Sequence, residues 1–105
     1  MKTKIQFIDC QPSVDKRNHI NEKIVKLEER FDLIIDGKII IRHDKHDKMK
    51  NVITEIHYTI PHNSIYAEGA GENILLSCDR AFFAIQQQLE KHKKMMVHGH
   101  TTPLT

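Results

Sequence analysis

The sequence contains few of the features that mark secreted, membrane-spanning or disulfide-bonded proteins. No apolar run approaches the roughly 18 residues that cross a bilayer. Residues 1–4 lead into a short alternating segment rather than into the apolar centre of a signal peptide. The two cysteines, Cys10 and Cys78, have no Cys-x-x-Cys spacing, which argues against a zinc knuckle or a disulfide framework. We therefore expect a protein of the reducing cytoplasm that has no membrane partner.

The chain also lacks a strong excess of charge of either sign. Its 105 residues, enough for one domain, hold 16 Lys and Arg against 14 Asp and Glu. Residues 1–50 carry 12 basic and 9 acidic side chains, whereas residues 51–105 carry 4 and 5. A chain that is so weakly basic cannot bind nucleic acid by bulk charge. It would need its cations sorted onto one surface, where the eight His could add positive charge beside a phosphate.

The sequence does contain a clear alternation of strand and helix periodicities. Segments with apolar residues at every second position predict four strands, and two longer segments with apolar spacings of three and four predict amphipathic helices. Ser13 and Asn73 are placed to cap these two helices. The predicted elements are a strand at 4–9, a helix at 14–31, strands at 38–43, 52–60 and 65–69, and a helix at 74–94.

The order β-α-β-β-β-α predicts an α+β fold. A right-handed crossover through the first helix makes the first two strands parallel, and the later strands follow as an antiparallel meander. Each helix has a single apolar stripe, so both are best buried on one face of the sheet. The expected architecture is a two-layer sandwich, a four-stranded mixed sheet with two helices packed on one face. Residues 1–94 form this domain, and residues 95–105 are expected to be a disordered tail.

The first predicted helix has a second stripe beside its apolar one, and this stripe is made of cations. Spacings of three and four residues bring its members into one sector of the helix. They are Lys16, His19, Lys23, Lys26 and Arg30, hereafter the cationic stripe. A helix selected only for solubility tends to interleave opposite charges, whereas phosphate recognition requires a sorted row of cations. The alternative is a solvated face on which cations cluster by accident.

The outward side of the second predicted helix carries further polar and basic residues opposite its apolar stripe. They are Arg80, Gln87, Lys91 and Lys94. If both helices lie on one face of the sheet, their outer sides form one surface across which an RNA backbone can lie. Leu76 and Phe83 also point outward. Phe83 either stacks on a base, meets a protein partner or covers an edge of the core.

Neither a catalytic site nor a functional metal site is predicted. Cys78 falls on the buried stripe of the second helix as an inert thiol, and residues 69–71 lack the third glycine of a dinucleotide-binding loop. A His-Asp-Lys repeat offers four possible metal ligands, His43, Asp44, His46 and Asp47. A loop gives these ligands no fixed geometry, and the two lysines of the repeat repel a cation. No enzyme activity, cofactor or small-molecule substrate is expected.

Short motifs in both halves of the chain match those of a known family. Residues 23–32 read Lys-x-x-Lys-Leu-Glu-x-x-Phe-Asp. Residues 65–73 resemble an Ala-x-Gly-x-Asp turn with Asn73 in place of the aspartate, and residues 88–93 resemble a Gln-Leu-x-Lys-His-Lys helix end. In this order and spacing, over residues 4–94, the motifs resemble the ribosome hibernation-promoting factors. This is the family of the ribosome-associated inhibitors, also called sigma-54 modulation proteins, and its fold has the β-α-β-β-β-α order.

The resemblance implies a translation silencer of the short form, without the carboxyl-terminal dimerisation domain, that is monomeric when free. Its implied partners are the small ribosomal subunit and the whole ribosome, contacted through 16S rRNA. There it would occupy the mRNA and tRNA positions of idle ribosomes, as in stress and stationary phase. The rRNA-binding residues that match family positions are Lys23, Lys26, Lys91 and Lys93. The same predicted surface adds Lys16, Arg30, Arg80 and Lys94 as candidates, although the family usually has an apolar residue at the position of Lys16.

Two other functions fit parts of the pattern. Double-stranded-RNA-binding modules also set two helices on one face of a sheet and read duplex shape across minor grooves. Binding to free RNA duplexes without ribosomes would favour such a module. A histidine-rich metal-handling protein would use the loop at residues 43–47, and a stoichiometric zinc or nickel content would favour that function.

Overall fold

The computed structural model describes residues 1–46 and 51–101, with side chains described to Met95. Its elements are β1 (Thr3–Ile8), α1 (Val14–Arg30), β2 (Asp36–His43), β3 (Val52–Ile60), β4 (Asn63–Gly71) and α2 (Ile74–Thr101). The strands form one sheet in the order β1-β2-β3-β4, in which β1 and β2 are parallel and the other pairs are antiparallel. The predicted α+β class, mixed sheet and β-α-β-β-β-α order are confirmed.

Helix α1 begins and ends where local chemistry predicts. The Ser13 side chain accepts a hydrogen bond from the backbone N–H of Lys16 at 3.3 Å, and Asp15 lies in the first turn, where the helix dipole favours an anion. At the other end Phe31 adopts an extended conformation, and its N–H still donates to the Leu27 carbonyl at 2.9 Å. The predicted cap and apolar stripe of this helix are therefore confirmed.

One face of the sheet carries the core. Ile39 of β2 pairs with Ile56 of β3, and Ile41 pairs with Thr54, so these residues share a face. Ile39, Ile41 and Ile56 are fully buried in a single apolar cluster with residues of both helices, and Thr54 is buried beside them. The helices therefore cover the same face of the sheet, as their single apolar stripes predict. The other face carries exposed side chains such as Lys4 of β1 and Lys38 of β2.

Helix α2 packs directly on the backbone of β4. A Cβ atom at Gly69 would overlap the backbone of Ser77 and Ala81, so glycine lets the helix approach this closely. The Ser77 hydroxyl is buried beside the Thr54 hydroxyl, 2.9 Å away, and donates to the Ile74 carbonyl at 3.0 Å. This contact fixes which side of α2 faces outward and therefore where its cations lie.

The boundaries of β1, α1 and β2 differ from the sequence prediction by one or two residues, and larger differences in length occur in β4 and α2. Strand β4 begins at Asn63 and ends at Gly71 rather than spanning 65–69, because a tight turn at Pro61 and His62 lets pairing with β3 resume at once. His62 there adopts a left-handed φ of 64°. Helix α2 continues to Thr101 rather than ending near residue 94. The disorder predicted for residues 95–105 stays a prediction, and residues 47–50 and 102–105 lie outside the described part of the chain.

Candidate nucleic-acid interface

The two helices lie side by side and run in the same direction. His19 of α1 lies 3.3 Å from Asp79 of α2, and Arg30 of α1 pairs with Glu90 of α2. Both pairs join residues that are 60 positions apart, so residue numbers increase in the same direction along both helices, which are therefore parallel. The outward sides of α1 and α2 therefore form one continuous surface, as expected from the packing of both helices on one face.

A groove follows the line between the helices, and members of the cationic stripe form its α1 side. Its lining consists of His19, Glu22, Lys23, Lys26, Leu27 and Arg30 from α1, with Phe82 and Gln86 from α2. Four of the five residues of the cationic stripe thus border one groove, while Lys16 lies half-buried in the first turn of α1. The acidic Glu22 also reaches the groove.

Lys23 lies at the centre of the contact between the helices. Its ammonium is 3.1 Å from the Asp79 carboxylate and 5.8 Å from the centroid of the Phe82 ring. Partial burial raises the pKa of Asp79, but hydrogen bonds from Lys23 and His19 outweigh this effect and hold the pKa below its usual value. Asp79 is therefore a carboxylate at neutral pH, and it anchors two members of the cationic stripe.

Arg30 and Lys93 meet around one aromatic ring. The Arg30 guanidinium pairs with the Glu90 carboxylate and also lies 5.2 Å from the centroid of the Phe31 ring. The Lys93 ammonium lies 5.7 Å from the same centroid. These cation–π contacts bring together one predicted residue from each helix and hold both near the groove.

The other predicted binding residues have different surroundings. Lys26 is exposed beside the groove, and Lys91 and Lys94 are exposed on α2. Arg80 donates a hydrogen bond from its guanidinium to the Ala70 carbonyl at 2.6 Å. This bond holds its head group at the outer edge of β4, away from the groove. The eight predicted residues therefore cover one broad surface, in which Arg80 lies at one border.

Sequence reasoning did not predict that Asp79 and Glu90 neutralise part of the cationic stripe. Together with Gln86 they recur at helical spacing along one flank of α2. That spacing is visible in the sequence, but its meaning depends on which flank of α2 meets α1. The surface is therefore less positive in its centre than the row of cations suggests.

Phe83 stands out on the outward side of α2. Its side chain is 62% exposed, whereas the neighbouring Phe82 is 4% exposed and packs in the core. Leu76, predicted to point outward, is half-buried. An exposed aromatic ring on this surface is suited to stack on another planar group.

Nucleophilic and metal chemistry would depend on residues other than those of this surface. Cys78 is fully buried, and burial raises its pKa to about 11, so the thiol is protonated at neutral pH. No group of three His, Cys, Asp or Glu side chains in the described residues could hold a metal ion. Asp47 of the His-Asp-Lys repeat lies outside those residues. No described helix is long and apolar enough to cross a membrane.

These features define a class, an α+β sandwich whose paired helices present a cationic, partly aromatic surface. Comparison with known proteins gives the family. Residues 3–96 match the model of the family described as "Sigma 54 modulation protein / S30EA ribosomal protein". The chain belongs to this family, which confirms the resemblance seen in its motifs.

Solved structures agree with this assignment at the level of the fold. A ribosomal subunit interface protein from Coxiella burnetii is similar with a TM-score of 0.73 and 20% identity, covering 90% of this chain and 99% of the other. The N-terminal domain of Thermus thermophilus Protein Y is similar with a TM-score of 0.71 and 16% identity, covering 88% and 99%. The search of curated protein sequences found no match.

Proposed function

We propose that the protein binds the small ribosomal subunit through the outward surface of α1 and α2 and silences translation by occupying the decoding channel. The observation that carries the proposal is the continuous cationic surface formed by α1 and α2. The description of the family to which the chain belongs names a ribosomal protein. The similarity to a ribosomal subunit interface protein from Coxiella burnetii supports the same partner.

The proposed mechanism is steric and electrostatic rather than catalytic. Lysines beside the groove and on α2 neutralise rRNA phosphates and release their condensed counterions, which makes the affinity fall steeply with salt. A rigid two-layer domain in the channel excludes mRNA and tRNA by volume. Binding is reversible, so initiation complexes displace the protein by mass action. No covalent step is required.

The first prediction concerns the centre of the surface. The double substitution Lys23→Glu with Lys26→Glu reverses two charges beside the groove and should abolish co-sedimentation with small subunits on a sucrose gradient at low salt. A Glu at position 23 also faces the Asp79 carboxylate, so the fold of the variant is checked by circular dichroism and thermal melting. Lys26→Glu alone, at an exposed position, should weaken binding without that complication.

The matched control is Lys4→Glu with Lys38→Glu. These lysines are exposed neighbours on the opposite face of the sheet, so the control makes the same change in net charge away from the helices. It should sediment with small subunits almost as the wild type does. Equal loss of binding in both double variants would mean that only bulk charge matters, and full binding of the Lys23 and Lys26 variant would exclude this surface.

The partner is tested in the same gradients. Salt-sensitive, near-stoichiometric migration with small subunits and whole ribosomes supports the proposal, and inhibition of translation in a purified system by the same preparation supports silencing. If the protein stays at the top of the gradient at low salt and instead binds a free RNA duplex, it is an RNA-binding module of the double-stranded type.

A further inference from the structure

Phe83 is an exposed aromatic residue on a helix that buries Ile74, Phe82, Ile85 and Leu89 in the core. The ring is 62% exposed, although α2 offers a covered position one residue earlier, at Phe82. Scattered apolar residues occur on all protein surfaces. Phe83 differs from them in its surroundings, since it projects from the middle of the surface assigned above to rRNA.

The two sides of Phe83 differ in their charged neighbours. On one side lie Arg80, one turn earlier and held by the Ala70 carbonyl at 2.6 Å, and the exposed Lys91. On the other side lies the row of contacts with α1. Asp79 and Glu90, the acidic residues of α2, are both engaged there by cations of α1. Arg80 therefore lies one helical turn from the ring on one side, and on the other side Asp79 and Glu90 are neutralised by cations of α1.

We propose that Phe83 is a stacking platform for one unpaired base of a single-stranded rRNA segment. A single strand alternates a planar base with a charged phosphate, and an exposed aromatic ring one helical turn from Arg80, on a surface that also carries the exposed Lys91 and Lys94, matches that alternation. A protein partner would need a larger apolar patch, since the core of a stable interface extends over several hundred Å² per side. This inference rests on the proposed function and adds the kind of rRNA element that the surface recognises.

Substitutions at this position separate stacking from simple apolar contact. Phe83→Ala should weaken binding to small subunits roughly 5- to 150-fold, the loss expected when one base loses its aromatic partner. Phe83→Leu keeps much of the apolar area but has no ring face, so it should bind nearly as weakly as Phe83→Ala. Phe83→Tyr should restore wild-type binding. Binding by Phe83→Leu at the wild-type level would favour a protein surface and overturn the proposal.

A fluorescence experiment reports the stack directly. The protein has no tryptophan, so Phe83→Trp introduces a single reporter. Stacking on a base should quench its emission when small subunits or a single-stranded uridine oligonucleotide are added, and should protect it from acrylamide. The control is Tyr66→Trp, which places the reporter on the opposite face of the sheet, at a residue that is 41% exposed. Its emission should stay unchanged.

The outcomes distinguish this inference from the proposed function. If the wild type co-sediments with small subunits but Phe83→Ala binds equally well, stacking at Phe83 is wrong and the proposed function stands. If the wild type does not co-sediment, the proposed function fails. The response of Phe83→Trp to the single-stranded oligonucleotide then decides the stacking proposal, because an unquenched reporter overturns it.

Discussion

At the scale of single residues, Glu28 ties the amino-terminal strand to α1. Its carboxylate accepts hydrogen bonds from the backbone N–H groups of Lys2 and Thr3 at 2.9 and 3.1 Å, and from the Thr3 hydroxyl at 2.8 Å. Partial burial raises the pKa of Glu28, but these hydrogen bonds outweigh it and lower the pKa below its usual 4.5. The ionised form is therefore favoured by folding.

This arrangement predicts a pH-dependent stability difference. The pKa of Glu28 is lower in the folded protein than in the unfolded chain. The contribution of Glu28 to the free energy of unfolding is therefore complete above the unfolded pKa and is lost as pH falls through the folded pKa. Glu28→Gln should lower the free energy of unfolding at pH 7 by about 1–2 kcal/mol, since it removes charge-assisted hydrogen bonds. The difference from the wild type should shrink once pH falls below 4.5.

Chemical denaturation at pH 7 and at pH 3 checks this expectation. The control is Glu29→Gln, the same substitution at the next residue, whose side chain is exposed, and it should change the free energy of unfolding little at either pH. A constant difference between wild type and Glu28→Gln across this range would show that the charge of Glu28 is not what ties β1 to α1.

At the scale of elements, the contact between α1 and α2 sets the charge of the surface. Asp79 lies 3.1 Å from the Lys23 ammonium, so its carboxylate competes with any phosphate that approaches that lysine. Asp79→Asn should therefore strengthen binding to small subunits roughly two- to fivefold, in keeping with the modest energy of exposed ion pairs. It should change the melting temperature little, for the same reason.

Titration of labelled protein with small subunits at fixed salt measures this effect. Asp36→Asn is the matched control, because it removes one exposed carboxylate at the start of β2, and it should leave affinity near that of the wild type. Weaker binding by Asp79→Asn would instead mean that Asp79 holds Lys23 in its binding position.

The elements also show how far sequence reasoning reaches. The apolar spacing in α1, the Ser13 cap and the alternation in β3 are local patterns, so their elements were predicted closely. The limits of β4 were missed because Asn63, Ser64 and the glycines near its end carry no strand pattern, and only pairing with β3 defines them. The carbonyl hydrogen bond of Arg80 and the ion pairs of Asp79 and Glu90 depend on how α2 is docked, which no local pattern contains.

At the scale of the whole molecule, the proposed function depends on the sorting of charge between two faces rather than on its total. The exposed Lys91 and Lys94 lie on α2, while Lys4 and Lys38 lie on the other face of the sheet. The logarithm of the binding constant for small subunits should fall linearly with the logarithm of the salt concentration. Removing cations from the helix side should make this line less steep.

A comparison of two double variants checks the sorting. Lys91→Gln with Lys94→Gln should reduce the steepness of the salt dependence by about 1.5, because each lost phosphate contact removes roughly 0.7–0.9. Lys4→Gln with Lys38→Gln, with the same net charge, should keep the wild-type slope. Equal slopes of the salt dependence for the wild type and both double variants would mean that Lys91 and Lys94 do not contact phosphates.

The fixed position of Arg80 has a consequence for how the protein behaves in concentrated solution. Strand β4 is an edge of the sheet, and two of its carbonyl groups accept hydrogen bonds from α2, Tyr66 from Gln88 and Ala70 from Arg80, both at 2.6 Å. An edge with two of its acceptors occupied is a poorer template for another chain to extend the sheet. We therefore expect α2, which carries the proposed binding surface, also to limit pairing at this edge, so substitutions of α2 that alter recognition can also alter self-association.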